Sequence, residues 1–270
     1  MSLSELEAMA NLTPEERAQR DADWMNKERG KENEVDGYEC EACLNRGYIY
    51  FANGVNTSCR ECDCWQARRT IRRMMRSGLG PVIKKYTFGK YKADEEWQKL
   101  IKSKAEAFAH DPSGWFFIGG ASGAGKSHIC TAICRSLLAK HPVHYMMWEE
   151  EGFQLKGLTK DSPAEYQKRM DRLKTVDVLY IDDFFSGRRE RDGKRSMPSD
   201  ADIRMAREIL NARYVANKIT IISSEWHSME ISELDNAIGG RIVEMGREYC
   251  INVGRTPDKN MRLRMGGEIL

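Results

Sequence analysis

The stretch Gly120-Ala121-Ser122-Gly123-Ala124-Gly125-Lys126-Ser127 follows directly on the apolar run WFFIG at 115–119. It satisfies the pattern G-x-x-x-x-G-K-[ST] in the strand, loop and helix context of a phosphate-binding loop. Small residues let successive backbone N–H groups surround a β-phosphate, and the following helix directs its positive end at the same charge. We expect Lys126 to reach the β- and γ-phosphates, Ser127 to ligate Mg²⁺ and His128 to complete the ATP-binding set.

Two carboxylates follow the apolar strand VLYI at 178–181. Asp182 is expected to hold Mg²⁺, commonly through water, because such a site needs a carboxylate at the end of a neighbouring strand. Asp183 lies where many ATPases carry a Glu that orients the attacking water. Because Asp is one methylene shorter, we expect ATP hydrolysis to be slow or to require a partner.

Three further residues are candidates for contact with the γ-phosphate. The strand at 220–224 ends in Ser224 and is followed by Glu225, and either could sense the γ-phosphate, although Ser224 could equally cap a helix. Arg241 follows a pair of glycines within a helical stretch and could act as an arginine finger on a neighbouring subunit. This function would require self-association.

From residue 81 onwards, helical patterns alternate with short apolar runs, which indicates an α/β fold. We therefore predict a parallel five-stranded sheet flanked by helices, in an ATPase domain over 81–270. The predicted strands are 115–119, 143–148, 177–182, 219–224 and 248–253, and the predicted helices are 94–109, 126–140, 163–174, 200–217 and 230–245. The segment 186–199 is a basic loop, long for a connection between a strand and a helix.

Five of the eight cysteines fall between positions 40 and 64. The pairs Cys40/Cys43 and Cys59/Cys62 are fifteen residues apart, a spacing that lets two knuckles converge on one Zn²⁺. Cys64 is a fifth candidate, so the pattern predicts a structural zinc held by four of these five. An iron–sulfur cluster could use the same thiolates. We assign residues 38–80 to this module and its Arg-rich helical linker.

Charge is unevenly distributed around a formal net charge of +2. Residues 1–37 carry ten acids and five bases and are expected to form a helical or mobile leader, with a helix over 13–29. Residues 60–92 carry ten Lys/Arg and two acids, which indicates either a surface for a nucleic-acid backbone or a solvated helix face. The sequence contains neither a membrane-length apolar stretch nor a signal-peptide layout, so we expect a cytoplasmic protein without membrane contact.

The region 78–264 resembles the AAA+ replicative helicase loaders of the DnaC/DnaI type. The resemblance rests on Tyr86-Thr87-Phe88, GGASGAGKSH at 119–128, VLYIDDF at 178–184, ILNARY at 209–214, IISSE at 221–225 and GGRIVEM at 239–245. It implies an AAA+ P-loop NTPase without a C-terminal lid, and an arginine finger at Arg241. It also implies ATP-dependent delivery of a hexameric helicase to single-stranded DNA.

The Cys-rich segment is similar to that of Firmicute-type loaders, in which YxCxxCxxxGYI is followed by CxC. That likeness implies Cys40, Cys43, Cys62 and Cys64 as ligands, with Cys59 spare, whereas the paired spacing favours Cys59. We therefore expect Cys40, Cys43 and Cys62 as ligands and leave the fourth open between Cys59 and Cys64. Two other functions compete with loading. An IstB-like transposition helper shares the core but acts on duplex DNA and lacks a zinc module. A non-hydrolysing adaptor would use ATP only as an assembly ligand.

Overall fold

The computed structural model describes residues 12–75, 85–138, 140–186 and 196–264. The chain divides into two compact units, Met1–Arg72 and Arg73–Leu270. Among the described helices, none is both long enough and apolar enough to cross a membrane.

The first unit is a β-hairpin with short helices. Its elements are α1 (Pro14–Lys27), α2 (Glu32–Asp36), β1 (Tyr48–Asn53), β2 (Asn56–Glu61) and α3 (Cys64–Met74). The two strands pair antiparallel, from Tyr48 opposite Glu61 to Asn53 opposite Asn56. The connecting loop has two residues and begins at Gly54, whose φ of 60° suits a tight hairpin turn. The sequence analysis did not predict this hairpin.

Helix α1 packs on the hairpin. It begins with the capping box that the sequence indicates, between Thr13 and Glu16. Ala18 and Ala22 are buried, and the Asn26 Nδ2 donates to the Tyr50 carbonyl at 2.7 Å. The described part of the leader expected at 1–37 is therefore a packed element of the first unit.

The Arg-rich helix α3 uses much of its charge internally. Arg68 is fully buried and pairs with Asp36 at 2.6 Å, and Arg72 pairs with the same carboxylate at 3.1 Å. Arg69 pairs with Glu61 at 2.8 Å on the surface. These pairs correct the expectation of an open phosphate-binding face, since Arg68 cannot reach a ligand. The side chains of residues 73 and 76 lie outside the described residues.

The second unit is an α/β sandwich. Its elements are α4 (Glu96–His110), β3 (Trp115–Gly120), α5 (Lys126–Leu137), β4 (Val143–Met147), α6 (Trp148–Asp161), α7 (Pro163–Thr175), β5 (Val178–Phe184), α8 (Asp200–Val215), β6 (Ile219–Ser224), α9 (Ser228–Leu234), α10 (Asn236–Gly246), β7 (Cys250–Val253) and α11 (Met261–Arg264). The five strands are parallel, in the order β4-β5-β6-β3-β7. The predicted fold class is confirmed.

Two helices differ from the prediction. Helix α6 was missed because it buries little besides Trp148, Gly152 and Leu155, so its apolar periodicity is weak. The helix predicted over 230–245 is two helices, because Asp235 is extended at φ −154° and its side chain caps α10 by accepting from the Ile238 N–H. Most of the loop at 186–199 lies outside the described residues.

The carboxyl ends of the strands carry the phosphate loop and the acidic pair, since in a parallel sheet these ends meet at one edge. The apolar core lies between the sheet and helices α6 to α10. Its buried members include Trp115, Phe117, Leu179, Ile181 and Ile222. This core fixes the strand ends relative to one another.

Candidate functional site

The phosphate loop joins β3 to α5 through positions where a side chain does not fit. Gly120 has φ 110°, and a Cβ there would lie 2.0 Å from the Val253 carbonyl oxygen. Gly125 has φ 80° and caps α5, with the ring of Tyr91 3.0 Å from where its Cβ would be. Left-handed backbone and close neighbours together require glycine at both positions.

Lys126 is buried at the start of α5. Its Nζ donates to the carbonyl oxygens of Gly120 and Ala121, at 3.0 and 2.7 Å, which holds the ammonium within the loop. Burial lowers the pKa of Lys126, while the negative charges of Glu225 and Asp183 oppose that shift. A cation here faces the place where the loop N–H groups would hold phosphate.

The carboxylate of Asp182 is buried and accepts from four hydroxyl groups. Its Oδ1 accepts from Ser127 at 3.1 Å, from Tyr180 at 2.6 Å and from Ser223. Its Oδ2 accepts from Tyr145 at 3.1 Å. Ser127 and Asp182 therefore lie together, and a carboxylate with a hydroxyl is the hard oxygen set that suits Mg²⁺. The sequence analysis missed Tyr145, Tyr180 and Ser223.

Asp183 lies at a bulge. The pairing of β5 with β6 shifts register between Ile181 and Phe184, and Asp183 takes a left-handed φ of 51°. Its N–H donates to the Ser223 Oγ at 3.0 Å. Burial, followed by the charge of Asp182, raises the pKa of Asp183 to about 6. Solvent still reaches its side chain, so the group can exchange protons near neutral pH.

The two sensor candidates behave differently. Ser224 is fully buried; its Oγ donates to the Phe184 carbonyl at 2.7 Å and accepts from the Trp226 N–H at 3.0 Å. It therefore bridges β5 and the residues after β6, and it does not cap the next helix as the sequence allowed, because the N-cap of α9 is His227. Glu225 follows it and acts electrostatically on Lys126. The neighbour Ser223, which bridges Asp182 and the Asp183 backbone, is the polar group of β6 at the site.

Arg241 lies on α10 and contacts α8. Its guanidinium is 5.4 Å from the ring centre of Tyr214, and it donates to the Ala237 carbonyl at 3.1 Å. The Tyr214 hydroxyl in turn donates to Glu244 at 2.9 Å. With Lys174, Arg204 and Arg207, Arg241 lines an open groove between these elements.

His128 points away from the loop backbone. Its ring stacks on Tyr86, with centroids 4.4 Å apart, and its Nε2 lies 3.0 Å from the Thr87 carbonyl. Burial lowers the pKa of His128, so the ring is neutral at pH 7. The histidine thus fastens the segment that begins at residue 85 to the first turn of α5.

The C-terminal segment also reaches the phosphate loop, which the sequence analysis did not foresee. The Met261 N–H donates to the Gly123 carbonyl at 3.1 Å. The side chain of Arg262 lies beside Gly123, and its charge opposes the rise in the pKa of Asp183. No motif in the sequence marks this contact.

Four cysteines of the first unit form one cluster. The Sγ atoms of Cys40, Cys43, Cys62 and Cys64 all lie within 4.8 Å of one another. The Cys40–Cys62 and Cys43–Cys64 separations are 3.9 and 3.7 Å. A tetrahedron with metal–sulfur bonds of ~2.3 Å has edges of about 3.8 Å, so the four thiols fit Zn²⁺. Cys59 is exposed on β2, outside the cluster.

Comparisons with known proteins agree with this geometry. The chain is 28% identical over 214 residues to the uncharacterised protein YqaM of Bacillus subtilis, covering 73% of this chain and 64% of YqaM. It is 27% identical over 246 residues to the phage-like element PBSX protein XkdC of the same organism, covering 86% and 89%. It is 28% identical over 122 residues to the replicative helicase loader DnaC of Escherichia coli, covering 44% and 50%. No family model matches.

Solved structures give the fold. A crystal structure of the DnaC helicase loader aligns at a TM-score of 0.51 and 21% identity, covering 63% of this chain and 97% of that one. The chain has a DnaC-type AAA+ fold. The AAA+ unit also aligns with DnaI at a TM-score of 0.51 and 19% identity, covering 65% and 94%. AMPPCP-bound DnaA from Aquifex aeolicus aligns at 0.50 and 21%, covering 67% and 53%. The resemblance stated from the motifs is confirmed.

Proposed function

We propose that this chain is an ATP-dependent helicase loader that binds a hexameric replicative helicase and delivers it to single-stranded DNA. The observation that carries the proposal is the meeting of Ser127 and Asp182 at 3.1 Å, in an AAA+ fold that aligns with a replicative helicase loader. A loader needs a site that changes with the nucleotide, and this pair forms the centre of one. Such a function places the protein in the cytoplasm, where thiols stay reduced.

For the nucleotide, we assign the phosphates to the N–H groups of the loop 120–127 and to the ammonium of Lys126. Ser127 and Asp182 would hold Mg²⁺, which supplies charge neutralisation on the β- and γ-phosphates. Asp183 would orient the attacking water and accept its proton, a function suited by a pKa near 6. Glu225, directly after β6, acts electrostatically on Lys126 and is kept as the sensor candidate.

For self-association, we propose that Arg241 acts on the nucleotide of a neighbouring copy. Its contacts within the chain are with Tyr214 and Ala237, and the groove that it lines is basic and open. An arginine finger supplied by another subunit stabilises charge that develops on the transferred phosphoryl group. ATP would then favour assembly, because its γ-phosphate would join two copies.

For the first unit, we propose one Zn²⁺ held by Cys40, Cys43, Cys62 and Cys64. Few large apolar side chains are buried among the residues of this unit that the structure describes, so metal binding would supply much of its folding free energy. Arg68 acts electrostatically on Cys64 and Cys43, and its positive charge would offset part of the negative charge of four thiolates. The zinc module would present its surface to the helicase.

The test is recovery of partners from the native host with tagged protein, followed by mass spectrometry. We expect a replicative helicase, in a complex that withstands high salt, and binding of single-stranded DNA that weakens steeply with salt. Recovery of a transposase, with tighter binding of blunt duplex at matched ionic strength, would instead establish an IstB-like helper. The lysate of cells without the tagged chain is the control.

One observation favours a second candidate, an adaptor that binds ATP without hydrolysing it. The water-orienting position holds Asp183 on a left-handed bulge, so its carboxylate is both short and displaced from a regular strand. ATP hydrolysis by wild type equal to that of Asp183→Asn, with nucleotide binding intact in both, would support the adaptor. A clear difference in turnover would support the loader.

A further inference from the structure

Two tyrosines, neither of which was expected at the site from the sequence, contact the carboxylate at its centre. Tyr180 is two residues before Asp182 on β5, so both side chains lie on the same face of the strand. Tyr145 on β4 is paired with Tyr180 across the strands, and their ring centres are 5.3 Å apart. Both tyrosines are nearly inaccessible to solvent, at 2% for Tyr145 and 0% for Tyr180.

Their hydroxyls reach different oxygens of the carboxylate. Tyr180 donates to Oδ1 at 2.6 Å and Tyr145 donates to Oδ2 at 3.1 Å. Donors on both oxygens fix the rotation of the Asp182 carboxylate about its Cβ–Cγ bond. Donors on one oxygen alone would leave this rotation less restricted. This fixed plane also keeps Oδ1 directed at the Ser127 hydroxyl.

The chemistry of the donors matters as much as their position. A hydroxyl stabilises a carboxylate without cancelling its charge, whereas Lys or Arg in the same place would pair with it and compete with a metal ion. A phenol ordinarily loses its proton only at about pH 10, so a tyrosine hydroxyl is a donor at neutral pH. The two tyrosines therefore leave a full negative charge in a defined orientation.

We propose that Tyr145 and Tyr180 are positioning residues that hold the carboxylate of Asp182 for Mg²⁺ when ATP is bound. This inference rests on the proposed nucleotide site and deepens it. It implies that removal of the two hydroxyls weakens the response of the protein to Mg²⁺ more than it weakens the binding of the nucleotide itself.

The experiment compares wild type with Tyr145→Phe, Tyr180→Phe and the double variant, using a fluorescent ATP analogue. Affinity is measured in EDTA and across a Mg²⁺ titration, and thermal unfolding is recorded for each protein. Tyr249→Phe is the control. Tyr249 immediately precedes β7, at the edge of the sheet opposite to β4, and its ring packs on Phe108 away from Asp182.

We expect the Mg²⁺ concentration for half-maximal effect to rise about threefold to tenfold in each single variant, since a hydrogen bond to a charged acceptor is lost. Affinity in EDTA should stay within about twofold of wild type. An unchanged or lowered Mg²⁺ requirement would overturn the inference, as would equal losses with and without Mg²⁺, which indicate general structural damage. Failure of wild type to bind the analogue at all would refute the nucleotide site instead.

Discussion

Substitution of Asp183 by Asn is expected to make the protein more stable and less active. The structure places this carboxyl at pKa about 6, above its ordinary value of 3.8, through burial and then the charge of Asp182. A pKa difference of this size corresponds to about 3 kcal/mol against the charged form. Because solvent reaches the Asp183 side chain, we reduce the expected gain in stability to about 1 kcal/mol. Asn also tolerates the left-handed φ of this position.

The sign of the pH dependence follows from the raised pKa. Above pH 6 the folded protein carries an unfavourable charge that the Asn variant lacks, so the variant should melt about 2–4 °C higher at pH 8. As the pH falls from 6 through 3.8, the carboxyl takes up its proton and the difference should vanish. Hydrolysis by wild type should fall as the pH drops through about 6, because a water-orienting base must be ionised.

Thermal unfolding followed by circular dichroism at pH 8 and pH 4 measures the stability, and phosphate release measures turnover. Glu106→Gln, on the exposed face of α4, is the matched control for loss of one negative charge. A variant no more stable than wild type at pH 8, or a gain that persists unchanged at pH 4, would refute the electrostatic reasoning. Undiminished hydrolysis would remove Asp183 from the reaction.

Three other predictions concern the zinc cluster, the buried ion pair and the arginine finger. Cys64→Ser should abolish the single bound Zn²⁺ measured by elemental analysis, whereas Cys59→Ser should keep it, and the reverse would exchange their assignments. Arg68→Ala should destabilise the first unit by about 2–3 kcal/mol in urea, because the buried Asp36 carboxylate loses one of its two arginine partners and keeps only Arg72; Arg69→Ala, which breaks a surface pair, should lower stability by at most about 1 kcal/mol. Equal losses would contradict the burial argument. The Arg241→Ala variant should bind ATP but should not hydrolyse it alone. Hydrolysis should recover when it is mixed with a protein that cannot bind ATP but retains Arg241, and no recovery on mixing would argue against action between subunits.

The sheet was predictable because each of its strands is a short apolar run that ends at turn residues or at a recognisable motif. The strand before the phosphate loop and the strand before Asp182 are both followed by residues typical of a nucleotide-binding site, and these residues mark where each strand ends. Helix α6 was not predictable in this way, since its surface is largely solvated and its buried stripe is narrow. The hairpin at 48–61 was hidden because its strands bury little and its second strand, Asn56–Glu61, carries polar residues on both faces.

The site was predictable where chemistry fixes the residue type at a local spacing. Lys126, Ser127 and Asp182 belong to this class, and the structure brings them to one edge of the sheet. The other hydroxyl donors on Asp182 were not, because Tyr145, Tyr180 and Ser223 come from three strands and only the register places them together. Tyr180 alone could have been found, from its position two residues before Asp182 on the same strand face. The contact of Arg262 with the loop depends on chain packing after β7, which no local pattern encodes.

The choice between Cys59 and Cys64 also needed the third dimension. Two CxxC pairs separated by fifteen residues would use Cys59 as a ligand. In the structure, however, Cys59 lies on β2 with its side chain exposed. Cys64 opens the next helix and returns to the cluster. Alternation along one strand therefore outweighs the regular spacing.

The measurement that tests the central claim most directly is transfer of the recovered hexameric helicase to circular single-stranded DNA, separated from free helicase by gel filtration. Wild-type protein with ATP and Mg²⁺ is predicted to move helicase into the DNA fraction. Lys126→Ala, which loses the charge facing the phosphates, should leave helicase unbound even at the same protein concentration. Equal transfer by wild type and Lys126→Ala, or transfer that needs no ATP, would contradict an ATP-dependent loader.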